Sequence, residues 1–176
     1  MDKHYKRVLF ISDIHAPFQD DKAIEAMVLF AQDWKPETIV FIGDVVDFYA
    51  ISSFVKDPNR ALKLADELNS AKDTIDFICK MLPDTKKYFI KGNHEARLQK
   101  YLWSTAKELA NLNELRLPHL LGFDKHNIEY IEHGNMKYHG IMIKHGNVVR
   151  KYAGYTARAE FEKNGISGIS GHTHRL

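Results

Sequence analysis

The chain is 176 residues long, with 44% hydrophobic and 27% charged residues, ordinary globular proportions that exclude wholesale disorder. That length predicts one domain over residues 1–176, large enough to bury a core without staples. A net charge of +2 is too small to assign a partner, no apolar run, Ile39–Ile42 included, is long enough to span a membrane, and Met1–Phe10 lacks the apolar stretch of a signal peptide.

In chain order, Val8–Ser12 reads as a buried strand. Asp21–Trp34 is a helix with Ile24, Met27, Val28 and Ala31 on one face, ended by Pro36. Thr38–Ile42 is the second strand. Ala61–Leu82 repeats Leu64, Leu68, Ala71, Ile75 and Ile78 at helical spacing, with Pro83 as its stop. Cys79, the single cysteine, falls on that helix as a core residue; one thiol cannot form an internal disulfide, which points to a reducing, cytoplasmic compartment. Lys87–Ile90 is a third strand, and Glu95 begins another helix. This alternation predicts βαβ units and a largely parallel sheet. Asn111–Asn127 shows no period and reads as a surface excursion around Pro118. From Ile128 the strands come closer together, as Ile128–Ile131, Met136–His139 and Ile141–Lys144, and read as antiparallel. Tyr152–Lys163 is an amphipathic helix closed by Asn164-Gly165, and Ile166–Ile169 is a strand diluted by Gly168.

Charge is unevenly spread: residues 134–176 hold seven Lys/Arg against two Glu, whereas residues 1–133 hold 18 against 21. Lys151, Tyr152, Tyr155, Arg158 and Arg175 interleave basic and aromatic groups, which fits a nucleic-acid backbone and equally the outer face of one helix.

Histidine is the outlier, at 10 of 176 residues, and its placement is repetitive. Five times an apolar strand ends and a metal-competent side chain follows at once: Asp13-Ile14-His15, Gly43-Asp44-Val45-Val46-Asp47, Gly92-Asn93-His94-Glu95, His145-Gly146, and Gly171-His172-Thr173-His174. Ligands gather at the carboxyl ends of strands in parallel α/β sheets, so the five blocks should meet at one rim. Together they supply two Asp, one Asn and four His as ligands, and one more His. Seven ligands exceed one tetrahedral zinc, and there is no thiolate set. They suit two metals sharing a carboxylate, with imidazole and carboxylate favouring manganese, iron or zinc over magnesium or calcium. Two such ions about 3.5–4 Å apart can clamp both the attacking and the leaving oxygen of a phosphoryl displacement.

These blocks, in this order, resemble the calcineurin-like metallophosphoesterase superfamily, whose pattern D-x-H, G-D-x-x-D, G-N-H-[DE], H and G-H-x-H is complete here from Asp13 to His174. The resemblance covers nearly the whole chain and is similar in character to short phage and bacterial members. It implies two facing mixed β-sheets flanked by helices in a four-layer αββα stack. It also implies that Asp13, His15, Asp44 and His174 hold a first metal, and that Asp44, bridging, with Asn93, His145 and His172 holds a second. His94 would be the catalytic histidine beside the leaving group, Asp47 its orienting and charging partner, and hydroxide held by the metals the nucleophile. Asn93, Arg97 and Arg150 are the candidates for holding the substrate phosphate. Asn93 is also a candidate cap for the helix that follows, whereas Glu95 is read as serving the helix start. His4, His119, His126, His133 and His139 match no motif and read as surface or loop residues.

Two departures matter. Protein phosphatases of the family have Arg-Gly where this chain has Phe48-Tyr49, and arginine where it has Lys91. The leading expectation is therefore a phosphodiesterase, nucleic acid included among its substrates, with a phosphomonoesterase acting on protein or small-molecule phosphates as the alternative. A non-catalytic scaffold should show decayed ligands, and all seven are present. The chain also stops two residues after His174, where members usually continue into further strands of the second sheet, which fits either a truncated chain or an unusually short member.

Overall fold

The computed structural model describes residues 6–60 and 62–174; His4, Ala61 and Arg175 lie outside them. Strands β1 (Val8–Ile11), β2 (Thr38–Phe41), β3 (Lys86–Ile90) and β4 (Ile128–Ile131) form one sheet in the order β1-β2-β3-β4. All of its pairings are parallel. A second sheet holds β5 (Asn135–Tyr138), β6 (Ile141–Lys144) and β7 (Gly168–Ser170), with β5 antiparallel and β7 parallel to β6. Only this second sheet is mixed, which corrects the expectation of two mixed sheets.

Parallel strands need long crossovers, and helices supply them. The crossovers contain α1 (Asp21–Trp34), α2 (Leu64–Met81), α3 (Glu95–Thr105) with the short α4 (Leu117–Leu120), and α5 (Ala153–Asn164) between β6 and β7. Helix α1 has the predicted bounds. Asp20 caps its start by accepting the Ala23 N–H at 3.1 Å, and Lys35, left-handed at φ 54°, turns the chain out before Pro36. Helix α2 is described from Leu64, and ahead of it Pro58 and Asn59 lie in a turn closed by the Arg60 N–H donating to the Asp57 carbonyl at 3.0 Å. Asn93 does not cap α3: His94 occupies that position, without a side-chain hydrogen bond.

The central strands are buried on both faces, as a covered parallel sheet requires. On one face Ile39, Phe41 and Phe89 pack with Val28, Ala31, Ile75, Ile78 and Leu98 of the helices. On the other, Val40, Ile42, Tyr88 and Ile90 meet Ile143 of β6, with Met136, Tyr138 and Ile169 around them. The sheets therefore face each other across an apolar layer. At its edge Tyr138 hydrogen-bonds Thr38 at 2.9 Å.

Two expectations are corrected here. Strand β4 belongs to the parallel sheet, not to an antiparallel group, because the excursion before it is long enough to return the chain alongside β3. That excursion is also no surface loop: Leu117, Leu121 and Phe123 are buried in the core, and Phe123 lies 4.8 Å from the Phe89 ring. Its turns are each three or four residues long, too short for an apolar period to emerge. Among the described residues no helix is long and apolar enough to cross a membrane.

Candidate metal centre

The carboxyl ends of β1, β2, β3, β6 and β7 deliver all five blocks to one rim. Asp13, His15, Asp44, Asp47, Asn93, His94, His172 and His174 line an open depression of about 560 Å³, with His145 buried beside it. The backbone there is unusual: Asp13, His15, Asp44, His172 and His174 all have positive φ, between 50° and 77°. Such conformations cluster at functional sites because the surrounding structure must enforce them. Close approach explains two of the glycines. A Cβ on Gly92 would strike the carboxylates of Asp44 and Glu95, and one on Gly171 would strike Ser12 and Asp13.

The donor atoms fall into overlapping triads, each with its atoms within 4.8 Å of one another: Asp13, His15 and His174; Asp44, His145 and His172; and between them His15, Asp44 and His94. Hydrogen bonds fix which atoms face inward. The Nδ1–H of His145 donates to the Ile42 carbonyl at 2.8 Å. Its Nε2 therefore faces Asp44 Oδ2 at 3.0 Å and Asn93 Oδ1 at 2.9 Å. Likewise His15 Nδ1 is held by Asp47 Oδ2 at 3.1 Å. Its Nε2 points to His174 Nε2 at 3.1 Å, and His174 Nε2 lies 2.9 Å from Asp13 Oδ1.

Electrostatics matches this crowding. Burial disfavours charge on Asp13, but His15, Ser12 and the His172 N–H overcome it and hold the carboxyl well below the usual range. Asp44 is likewise lowered, burial being outweighed by His145. Burial would also lower His15, yet Asp13 and Asp47 raise it to about 9. His172 is depressed, by burial and then by the neighbouring His145. Acceptor atoms converging with so few donors between them are a fit for cations.

Asp47 does more than the sequence indicated. Its carboxylate is nearer His15 (3.1 Å) than His94 (3.4 Å), and it is the Asp47 main-chain carbonyl that accepts from His94 Nδ1, at 2.8 Å. Arg97 donates to that same carbonyl at 2.9 Å and stands 3.0 Å from His94 Nε2. Arg97 thus underpins the site. Arg150 does not reach it: it is exposed, its N–H is bonded to Thr156 Oγ1 at 3.0 Å, and it does not line the depression.

Sequence reasoning missed three features. Phe18, Tyr49 and Arg60 line the depression without belonging to any motif. Phe48, which replaces the phosphatase arginine, is fully buried in the core, so that position does not face a substrate. Glu95, read as serving the helix start, is buried and accepts the main-chain N–H groups of Asp44, Val45, Val46 and Gly92 at 2.8–3.2 Å.

An α/β sheet that brings carboxylates and imidazoles from five strand ends to one rim is the scaffold of a metal-dependent hydrolase. A family profile for the calcineurin-like phosphoesterases matches residues 6–176. The chain belongs to that family of metal-dependent phosphoester hydrolases. It is 30% identical over 178 residues to the Gene 54 protein of Mycobacterium phage D29, covering 97% of this chain and 69% of the phage protein. To the Gene 54 protein of Mycobacterium phage L5 it is 28% identical over 180 residues, with the same coverage.

Proposed function

We propose that this chain is a phosphodiesterase using two divalent ions, manganese first and iron or zinc as alternatives, with nucleic acid among its substrates. The carrying observation is the pair of donor triads on either side of Asp44. Asp13, His15, Asp44 and His174 would hold one ion, and Asp44, Asn93, His145 and His172 the other. When bound, such ions supply Lewis acidity to the phosphoryl oxygens and activate the attacking water.

The chain's own residues do the rest. Asp47 orients His15 through Nδ1 and, through its carbonyl, His94. His94 stands beside the leaving oxygen; once Arg97 has shifted from Nε2 toward the substrate phosphate, Nε2 can take up a proton from solvent and pass it to that oxygen. Asn93 and Arg97 contact the phosphate. Residues 1–176 act as one catalytic unit, with the two sheets as the inner layers of a four-layer stack. The reading places the protein in the reducing cytoplasm, in keeping with Cys79, whose buried thiol is pushed up to about 11 and is no nucleophile.

A monoester dianion carries more charge than a diester and gains more from a bidentate guanidinium; here Phe48 is in the core, and Arg97, with Nη1 held on Asp47, has only Nη2 to offer the phosphate. With manganese, kcat/KM for bis-p-nitrophenyl phosphate should equal or exceed that for p-nitrophenyl phosphate. A monoester preference of a hundredfold, about 2.7 kcal/mol, would overturn the reading in favour of a phosphomonoesterase.

A further inference from the structure

Part of the depression's lining differs in chemistry from its metal donors. The lining carries four aspartates, Asp13, Asp20, Asp44 and Asp47, and Arg60 is the only Lys or Arg among the described lining residues. The Arg60 guanidinium lies over the Phe18 ring, 5.3 Å from its centroid, and Tyr49 meets Phe18 edge-on at 6.2 Å. Phe18 is 44% exposed, a large ring left open to solvent at the mouth of a polar site. The partner of Arg60 is Asp57 at 3.9 Å, with both side chains about half exposed, the kind of surface pair that binds weakly and can yield to an incoming anion.

This part of the lining is tied to the metal donors. The Phe18 N–H donates to the His15 carbonyl at 2.7 Å, so the ring is placed relative to a ligand side chain. The Tyr49 and Ala50 N–H groups are held at 2.7 and 2.6 Å by the buried carboxylate of Glu67. The Tyr49 hydroxyl accepts the Asp57 N–H at 2.5 Å, fastening the loop that carries Arg60. A braced aromatic face with a guanidinium plane against it is what unstacked bases pack on, and arginine adds phosphate recognition. The depression's volume is within the range of small-molecule sites, about 300–1,000 Å³.

We propose that Phe18 and Arg60, braced by Tyr49, form a nucleoside subsite beside the metal centre, so that the diester hydrolysed is a nucleotidyl one: the base stacks on Phe18 and Arg60 takes a flanking phosphate. The inference rests on the phosphodiesterase reading and names the substrate class for that same site.

Two esters with the same leaving group test it: thymidine 5′-(p-nitrophenyl phosphate) and methyl p-nitrophenyl phosphate, assayed with the manganese-loaded chain. The wild type should favour the nucleotidyl ester through KM. Arg60→Ala and Phe18→Leu should each cut that preference at least tenfold, in KM rather than kcat, with the melting temperature confirming that the exposed substitutions leave the fold intact. A preference that is absent in the wild type, or that survives both substitutions, overturns the subsite while hydrolysis of the methyl ester upholds the diesterase reading. If neither diester is turned over, the diesterase reading fails, and calorimetry decides the subsite separately. There thymidine 5′-monophosphate should bind more tightly than inorganic phosphate, and Arg60→Ala should remove the difference; equal binding by the wild type overturns it.

Discussion

Glu95 shows how much a single carboxylate can organise. It is 2% exposed, and its two oxygens take four main-chain N–H groups from the turns that present Asp44 and Asn93. Burial, and then the charge of Asp44, push its pKa up, while those N–H groups pull it down. Substituting Gln keeps the shape and replaces one acceptor oxygen with a donor, so two buried N–H groups lose their partner at a cost of about 1–3 kcal/mol each. Glu95→Gln should therefore lower unfolding free energy by about 3 kcal/mol and weaken manganese binding, because the turn bearing Asp44 loosens. Urea denaturation and metal titration check this; unchanged values in both would show that the carboxylate is replaceable. Glu95 was legible from its motif, but most of its partners were not, since Asp44, Val45 and Val46 offer main-chain groups 49 to 51 residues away.

Strands and the long helices carry their own signal in the sequence, and the segment between α3 and β4 does not. Apolar runs such as Thr38–Phe41 and the period of α1 persist over enough residues to be read, whereas the turns from Lys107 to His126 do not. Their packing is nevertheless substantial: Phe123 is 1% exposed and contacts both Phe89 and Tyr130. Phe123→Ala should cost about 3–5 kcal/mol, as for other buried aromatics, measured by urea unfolding at constant m-value. A loss below about 1 kcal/mol, the scale of a surface change, would return the segment to the surface. The second sheet teaches the same lesson. Its hairpin turns at His139 and Gly140, both at positive φ, and antiparallel pairing was read there. What was not local was the exclusion of β4 from that group.

Taken together, the site is a set of acceptors gathered before any cation is added, and this has a consequence for pH. His15 is raised to about 9 by Asp13 and Asp47 against the effect of burial, so in the metal-free chain it carries a proton at pH 7. Because its folded pKa lies above the unfolded value of about 6.5, its stabilising contribution is complete below that value and is lost as pH rises through about 9. A ligating imidazole must be neutral, so metal uptake expels that proton. Manganese affinity should rise between pH 7 and 9, by up to about tenfold per unit for one proton released. Meanwhile the metal-free protein should lose stability over the same range. Calorimetry in two buffers of different ionisation enthalpy measures the protons released; a value of zero would exclude His15 as a ligand that must first be deprotonated.

Whatever is encoded in contiguous residues was readable without coordinates: the strands as apolar runs, the helices by their period, and the candidate donors as side chains placed directly after strand ends. Their meeting at one rim followed from the rule that parallel strands expose their carboxyl ends on the same side. Three things depended on the folded chain alone. Strand β4 pairs with β3 across more than 30 intervening residues. Phe48 turns into the core where a phosphatase arginine would face the phosphate. Arg60, with no motif around it, comes to the depression, whereas Arg150 near a donor does not. Each is decided by which distant segments pack together, and that balance of burial and pairing has no local signature.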